Sequence, residues 1–273
     1  MICKYKILFI PLQQNYSKNV CVILLPKRIW MYLVLDFGNT LTKFFLFEGK
    51  EVIDSESLSP KDAFDKIHEI ITLNEGIKGL IYSDVAGEIN EKLVDLAKGI
   101  PVIAINSSIK LPFANEYESK STLGADRISL VSAAVITYPK KNILVIDLGS
   151  CITYDFVSHK NIYKGGAISP GFEMRYKALN SFTGKLPLLS SKITKNPEGN
   201  STIDSIHSGV YFGVLDEIKG RIKYYQEEFG TLTVILTGGD ANKLPKTLKN
   251  TIFAHSNFLA AGMLHLLKLN MDS

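Results

Sequence analysis

Asp36-Phe37-Gly38-Asn39-Thr40-Leu41-Thr42-Lys43 and Asp147-Leu148-Gly149-Ser150-Cys151-Ile152-Thr153 are two versions of one short cassette. Each follows an apolar run, Tyr32 to Leu35 in the first case and Ile143 to Ile146 in the second, and each leads into another β-rich run. An Asp-x-Gly-polar-polar turn between two strands gathers a carboxylate, a residue without a side chain and hydroxyl or amide groups at one hairpin tip. A nucleotide requires that set: backbone donors for phosphate oxygens, a carboxylate for a hydrated cation, and room for close approach. One such turn has a plain reading, because Asp, Gly and Asn are ordinary turn residues. Two at matching places predict two lobes facing each other across a nucleotide.

The order of elements repeats around the cassettes. From Met31 the pattern is strand, turn and strand, with Lys43 to Phe47 aromatic-rich and Glu48-Gly49-Lys50 marking a turn. A third strand over Glu51 to Glu56 is followed by a helix opening at Ser59-Pro60, where Pro suits the first helical position and Ala63, Phe64, Ile67, Ile70 and Ile71 recur at helical spacing. A strand over Gly79 to Tyr82, a helix over Ile89 to Leu96 and a strand over Pro101 to Ile105 complete a β-β-β-α-β-α-β order. The second half repeats it. Strands are expected at Ile143 to Ile146, Ile152 to Val157 and Ile162 to Ile168, and helices around Phe172 to Phe182 and Ile203 to Phe229. A strand at Thr233 to Leu236, a helix over Ala241 to Leu248, a strand at Thr251 to Ala254 and a helix over Phe258 to Leu267 follow. The expected fold class is α/β, a duplicated fold of two lobes, each a mixed five-stranded sheet flanked by helices. The expected division is residues 31–139 and 140–273.

Residues 1–30 stand apart. Lys4 and Lys6 precede an apolar stretch that Pro11 and Gln13 interrupt, and no small-residue cleavage site follows. Met31 stands directly before the first cassette's strand. The expectation is that Met31 is the natural start and that residues 1–30 are a non-native or disordered extension, with an extra strand as the alternative.

The composition narrows the class. The 273 residues are 46% hydrophobic and 21% charged, with a net charge of +4 and no basic block, so charge does not point to nucleic acid. Cys3, Cys21 and Cys151 have neither disulfide-framework nor metal-ligand spacing, which suits a reducing cytoplasm. No apolar run reaches membrane-spanning length. The five histidines, at 68, 159, 207, 255 and 265, show no ligand spacing either. Ile206, Val210, Leu215 and Ile218 read as a packed helix face.

Three further blocks carry chemistry. Thr237-Gly238-Gly239-Asp240 follows a strand, and paired glycines let backbone lie against a flat ligand. Gly124-Ala125-Asp126-Arg127 opens a helix; Asp126 is placed to accept a hydroxyl proton or simply to cap the helix. Arg127 is either a planar donor fork for substrate or phosphate, or a surface salt bridge. Gly165-Gly166-Ala167-Ile168-Ser169-Pro170-Gly171 and Thr202-Ile203-Asp204-Ser205-Ile206-His207-Ser208-Gly209 lie in the second half.

The two cassettes with Thr237 to Asp240 resemble the signature of actin, the sugar kinases and the Hsp70 ATPase lobe, a duplicated ribonuclease H-like fold. With the other blocks, in order from Met31 to the C-terminus, the chain resembles the type III pantothenate kinases. That resemblance implies ATP-dependent phosphorylation of pantothenate to 4′-phosphopantothenate, the entry step of coenzyme A synthesis, in a cytoplasmic homodimer. It implies Asp126 as catalytic base. It places Asp36, Gly38, Asn39, Thr40, Lys43, Gly149 and Ser150 on the ATP phosphates and metal, and Gly238 and Gly239 against the nucleoside. It puts a monovalent cation, K⁺ or NH₄⁺, at Asp147, with Mg²⁺ on the nucleotide. It assigns Tyr117, Gly124, Ala125, Asp126 and Arg127 to the substrate pocket, with Thr202 supplied by the partner subunit. The chain departs from the family pattern at Ser150-Cys151, where Thr-Ala is usual, and at Lys120, where proline is common. The same resemblance leaves two rivals: a kinase of this fold acting on another small alcohol, and a non-catalytic accessory factor for transcription.

Overall fold

The computed structural model describes residues 5–10, 21–26, 30–38, 41–74, 76–84, 90–245, 248, 251–254 and 257–271. Strands β1 (Tyr5–Ile10) and β2 (Cys21–Pro26) pair antiparallel as a two-stranded sheet of their own. The first large sheet is built from β3 (Met31–Phe37), β4 (Thr42–Glu48), β5 (Glu51–Leu58), β6 (Ile77–Asp84) and β7 (Val102–Ala104), with helices α1 (Pro60–Leu73) and α2 (Asn90–Leu96). The chain then passes through β8 (Ala114–Asn115) into helix α3 (Ala125–Thr137). The second half supplies β9 (Asn142–Leu148), β10 (Cys151–Val157), β11 (Ile162–Pro170), helices α4 (Phe172–Ser181) and α5 (Thr202–Phe229), β12 (Leu232–Thr237), β13 (Thr251–Phe253) and helix α6 (Phe258–Met271).

The strand order proves the duplication. The first sheet runs β5-β4-β3-β6-β7 and the second runs β11-β10-β9-β12-β13 from the matching edge. In both, the first three strands pair antiparallel and the last two join parallel to the central strand. The second sheet has one strand more than its expected five: β8 adds at its edge, parallel to β11 through Ile162↔Ala114 and Tyr163↔Asn115. A two-residue strand is too short to leave a periodic signal. The helix expected over Ala241 to Leu248 is also absent from Ala241 to Pro245; a 3-10 turn over Ala241–Lys243 stands there instead, and Pro245 cannot donate to continue it.

Side-chain alternation decides what each central strand faces. Leu33 and Leu35 of β3 pack with Ala63, Ile67 and Ile70 of α1, whereas Val34 joins the core shared with α6. Leu144, Ile146 and Leu148 of β9 pack toward α4 and α5, whereas Ile143 and Val145 pack against α3. Both central strands are therefore covered on both faces, which is why they read as unbroken apolar runs. Helices α3 and α6 cross closely and lie between the two sheets; α6 packs on β3 and β6, and α3 on β9 and β10. The crossing depends on small residues. A Cβ on Gly262 of α6 would stand 2.0 Å from the Ser129 carbonyl oxygen of α3. The hydroxyls of Ser129 and Ser132 in that contact donate to Ala125 and Ile128 carbonyls one turn back. Ile206, Val210, Leu215 and Ile218 are core residues of α5, as their spacing predicts.

Candidate active site

The period of two that buries the strands also aims the cassette acids. Asp36 shares the face of Val34, and Asp147 shares that of Val145 and Ile143. Each acid stands near the carboxyl end of its central strand and points toward the space between the sheets, the place where open α/β sheets take ligands. Lys43 is paired directly across from Asp36, and Ser83 flanks it on the other side, donating its hydroxyl to Asp36 Oδ1 at 2.6 Å. Thr153 is paired across from Asp147, with Thr237 on its other side.

The acids act on one another electrostatically. Asp147 is pushed up to about 7, first by removal from water, then by the charges of Asp126, Asp155 and Asp36, with Lys43 opposing. Asp36 is also raised by burial and by Asp126, while Ser83 and Lys43 hold it down. Four carboxylates from β3, α3, β9 and β10 thus share one field with Lys43. Such crowding without a resident cation is costly, and it is characteristic of sites that receive positive charge with their ligand.

Asp126 occupies the second position of α3. Gly124 is the N-cap, so the capping role open to Asp126 in the sequence falls to its neighbour instead. The Arg127 backbone N–H donates to Asp126 Oδ1 at 2.8 Å, which holds the carboxylate at the helix start. Arg127 itself is buried, contrary to a surface salt bridge. Its Nε donates to Asp155 Oδ1 at 2.8 Å and its Nη2 to the Tyr163 hydroxyl at 2.8 Å, while Tyr163 donates to the same Asp155 oxygen at 2.7 Å. Asp155 drives Arg127 further into its charged range, outweighing burial. The guanidinium carbon lies 5.4 Å from the Tyr117 ring centroid, so Tyr117, Arg127 and Asp126 form one neighbourhood.

The loops around Asp147 are tightly fitted. The Gly149 N–H donates to the Cys151 carbonyl, and Asp240 N–H to the Leu148 carbonyl at 3.0 Å, so the Gly238-Gly239 turn lies on the second cassette. Gly238 has φ +93°, and a Cβ there would stand 2.5 Å from Asp147 Oδ1 and 2.4 Å from the Leu148 oxygen. In the first cassette the Gly38 N–H donates to the Leu41 carbonyl. By register that loop spans four residues between Phe37 and Thr42, against three between Leu148 and Ile152, so the two tips are not superposable copies. Asn39 and Thr40 lie outside the described residues. Ser150 is exposed at its tip, and Cys151 carries a free, half-buried thiol.

Two buried oxygens near Asp147 have no hydrogen-bond partner: Thr153 Oγ1 and Asp155 Oδ2, two residues apart on one face of β10. With the Asp147 carboxylate they offer hard oxygen donors, a set that fits a group IA or hydrated group IIA cation. Among the described residues no cluster of three or more His, Cys, Asp or Glu has metal-holding geometry, so phosphate oxygens and water would have to complete any shell.

Thr202 is not brought to these acids. It is the first residue of α5, where Ser201 caps by accepting the Asp204 N–H at 3.1 Å. It lines a separate open hollow of about 1110 Å³ between α4 and α5, with Leu179, Phe182 and Ile206. Asp155 is the site residue that the sequence reading missed. Its signal is a lone acid at an inward position of an aromatic strand, Tyr154-Asp155-Phe156.

The duplicated sheets define the class: a duplicated actin-like fold. A Baf family protein from Campylobacter jejuni, which carries a transcriptional-activator description, superposes with a TM-score of 0.60 at 23% identity, over 88% of this chain and all of its own. MreB5 of Spiroplasma citri, solved with ADP, superposes with a TM-score of 0.51 at 11% identity, over 89% of this chain and 97% of its own. The family follows from sequence. The model for type III pantothenate kinase matches residues 32–224, and the type III pantothenate kinase of Christiangramia forsetii is 43% identical over 240 residues, 88% of this chain and 99% of the relative. The chain belongs to the type III pantothenate kinase family.

Proposed function

We propose that this chain transfers the γ-phosphoryl group of ATP to the primary hydroxyl of pantothenate, with Asp126 as general base. The observation that carries this reading is the convergence of Asp36, Asp126 and Asp147 on one inter-lobe space, with Lys43 beside them. Phosphoryl transfer asks little covalent chemistry of a protein; it asks for alignment and for compensation of negative charge. Lys43 and Ser150 hold the phosphates, with Asn39 and Thr40 assigned to the same role. Gly238 and Gly239 leave room for the nucleoside. Asp36 would be the carboxylate facing a Mg²⁺ brought with the nucleotide, and Asp147 with Thr153 would hold K⁺ or NH₄⁺. Bound there, the cations supply charge neutralisation for the phosphoryl group and for the crowded carboxylates. Asp126, fixed at the start of α3, takes the substrate hydroxyl proton, while Tyr117, Gly124, Ala125 and Arg127 shape the acceptor side.

The dimer belongs to the same reading. Thr202 stands apart from the acids of its own chain, beside exposed Phe182 (88% exposed) and Ile203 (50%), an apolar surface suited to a second copy. We place the protein in the cytoplasm; no described helix is long and apolar enough to cross a membrane. Every residue assigned to the site follows Met31, so a chain starting at Met31 is expected to keep full turnover.

A coupled assay of ADP release tests the reading. ADP formation is expected to require pantothenate, and to be faster in K⁺ than in Na⁺. Turnover with another small alcohol but not pantothenate would replace the substrate; no turnover with any acceptor would favour an accessory role.

A further inference from the structure

A second charged hollow lies at the other end of β4 from Lys43. Lys43, Phe45 and Phe47 share one face of β4 by alternation, toward α6. A small hollow of about 280 Å³ adjoins Lys43 and Phe45 and reaches Asn257. A larger one, about 520 Å³, begins at Asn257 and continues past Phe47 to the β4–β5 tip. The floor of the larger hollow is apolar: Phe47, Val52, Ile136 and Leu264. Its rim carries Lys50 from the hairpin tip and His265 and Lys268 from α6, one turn apart, with Glu51 as its one acid.

The three basic groups repel one another. Burial lowers the proton affinity of His265, and Lys268 and Lys50 lower it further; Lys268 is lowered in the same way by burial and by Lys50. No carboxylate, Glu51 included, offsets either shift. Lys268 Nζ donates to the Gly49 carbonyl at 2.6 Å and lies 4.7 Å from the Tyr32 ring centroid, contacts that position its charge without cancelling it. Basic groups that outnumber the single carboxylate, Glu51, on the rim of an apolar hollow are what an anion with an apolar body would meet favourably. Five steps of extended strand separate Lys43 from Glu48, about 17 Å, before the Gly49-Lys50 turn, so the basic rim of this hollow stands away from Lys43.

We infer that the hollow between the β4–β5 hairpin and α6 binds a small organic anion, a phosphate monoester or carboxylate with a short apolar tail. The apolar floor takes the tail, and Lys50, His265 and Lys268 take the anionic head.

The test follows His265 in the full-length protein by imidazole ¹⁵N NMR, its signal assigned by loss in His265→Gln. A non-hydrolysable ATP analogue is kept saturating so that the cleft is filled. n-Butyl phosphate and inorganic phosphate serve as probes. The expected result is a saturable shift of the His265 signal with a rise in its pKa, tighter for butyl phosphate than for phosphate, and weakened several-fold in Lys50→Met. Lys50 is exposed and its replacement leaves the fold intact; Lys50→Met/Lys268→Met is expected to abolish the response. An unresponsive His265, or an equal response in Lys50→Met, would overturn the site. Equal affinity for the two probes would overturn its apolar half.

Discussion

Asp126 and Asp147 differ in what their carboxylates do. Asp126→Asn keeps the size and the backbone contact of the side chain but cannot accept a proton. It is expected to fold normally and to lose about 10²- to 10⁴-fold in kcat, measured in single turnovers with ATP binding retained. Asp147 gives a pH signature. Its folded value of about 7 lies above its ordinary 3.8, so between those limits the folded state holds a proton that the unfolded state has released. Its contribution to stability is present below about pH 4 and declines as pH rises through 7. Asp36 and Asp155 are raised in the same direction. In cation-free buffer at pH 8, Asp147→Asn is therefore expected to melt higher than the parent protein, by about 3 °C or more. Added K⁺ should raise the parent's Tm more at pH 8 than at pH 5 and leave Asp147→Asn unmoved; an Asp147→Asn variant that melts lower than the parent at pH 8 contradicts the crowding. Gly238→Ala places a Cβ against Leu148 and Asp147 at positive φ, and is expected to cost about 1–3 kcal/mol and to weaken ATP binding, read by denaturation and calorimetry. The role of Asp155 was less legible than those of Asp36 and Asp147. It follows no glycine and sits in no turn, and its partner Arg127 is 28 residues away, so only the fold pairs them.

At the scale of elements, the cassettes and the strands that carry them were readable because two periodicities coincide. Alternation buried Leu33, Val34 and Leu35 on two sides and left Asp36 pointing inward at the strand end; β9 repeats the pattern. The helix starting at Pro60 was equally plain, since Pro at the first position and apolar residues at helical spacing agree. Between Ala241 and Pro245 the helix reading failed where a strand-end turn competes with a short apolar pattern, and Pro245 ends it. The α3–α6 crossing could not be read at all, because small residues mark close approach without naming the partner. It has a testable consequence. Gly262→Ala must separate the helices and is expected to cost about 1–3 kcal/mol or more, with a fall in kcat as the start of α3 moves Asp126. Gly220→Ala, on an open face of α5, is the control and is expected to stabilise by about 0.5–1 kcal/mol. Equal stability changes for the two variants would mean that the crossing is not tight.

At the scale of the whole molecule, the duplicated sheets turn two strand ends toward each other, and helices α3 and α6 fix their separation. The repeated element order made this architecture readable; the edge strand β8 was not, because it depends on where the chain passes in space. If a second copy completes the site, two defective variants can repair each other. Asp126→Asn and Thr202→Ala, each weakly active alone, are expected to regain up to about a quarter of parental activity when mixed and allowed to exchange subunits, since one site per mixed dimer is intact. Additive, unrepaired rates would assign Thr202 no role across an interface. The central claim is that Asp36, Asp126 and Asp147 surround one bound triphosphate. Its most direct measurement is the rate of phosphoryl transfer from ATP to pantothenate by Asp126→Asn under conditions where calorimetry shows ATP fully bound. Undiminished ATP binding with transfer reduced at least about 10²-fold is expected; transfer near the parental rate would contradict that arrangement.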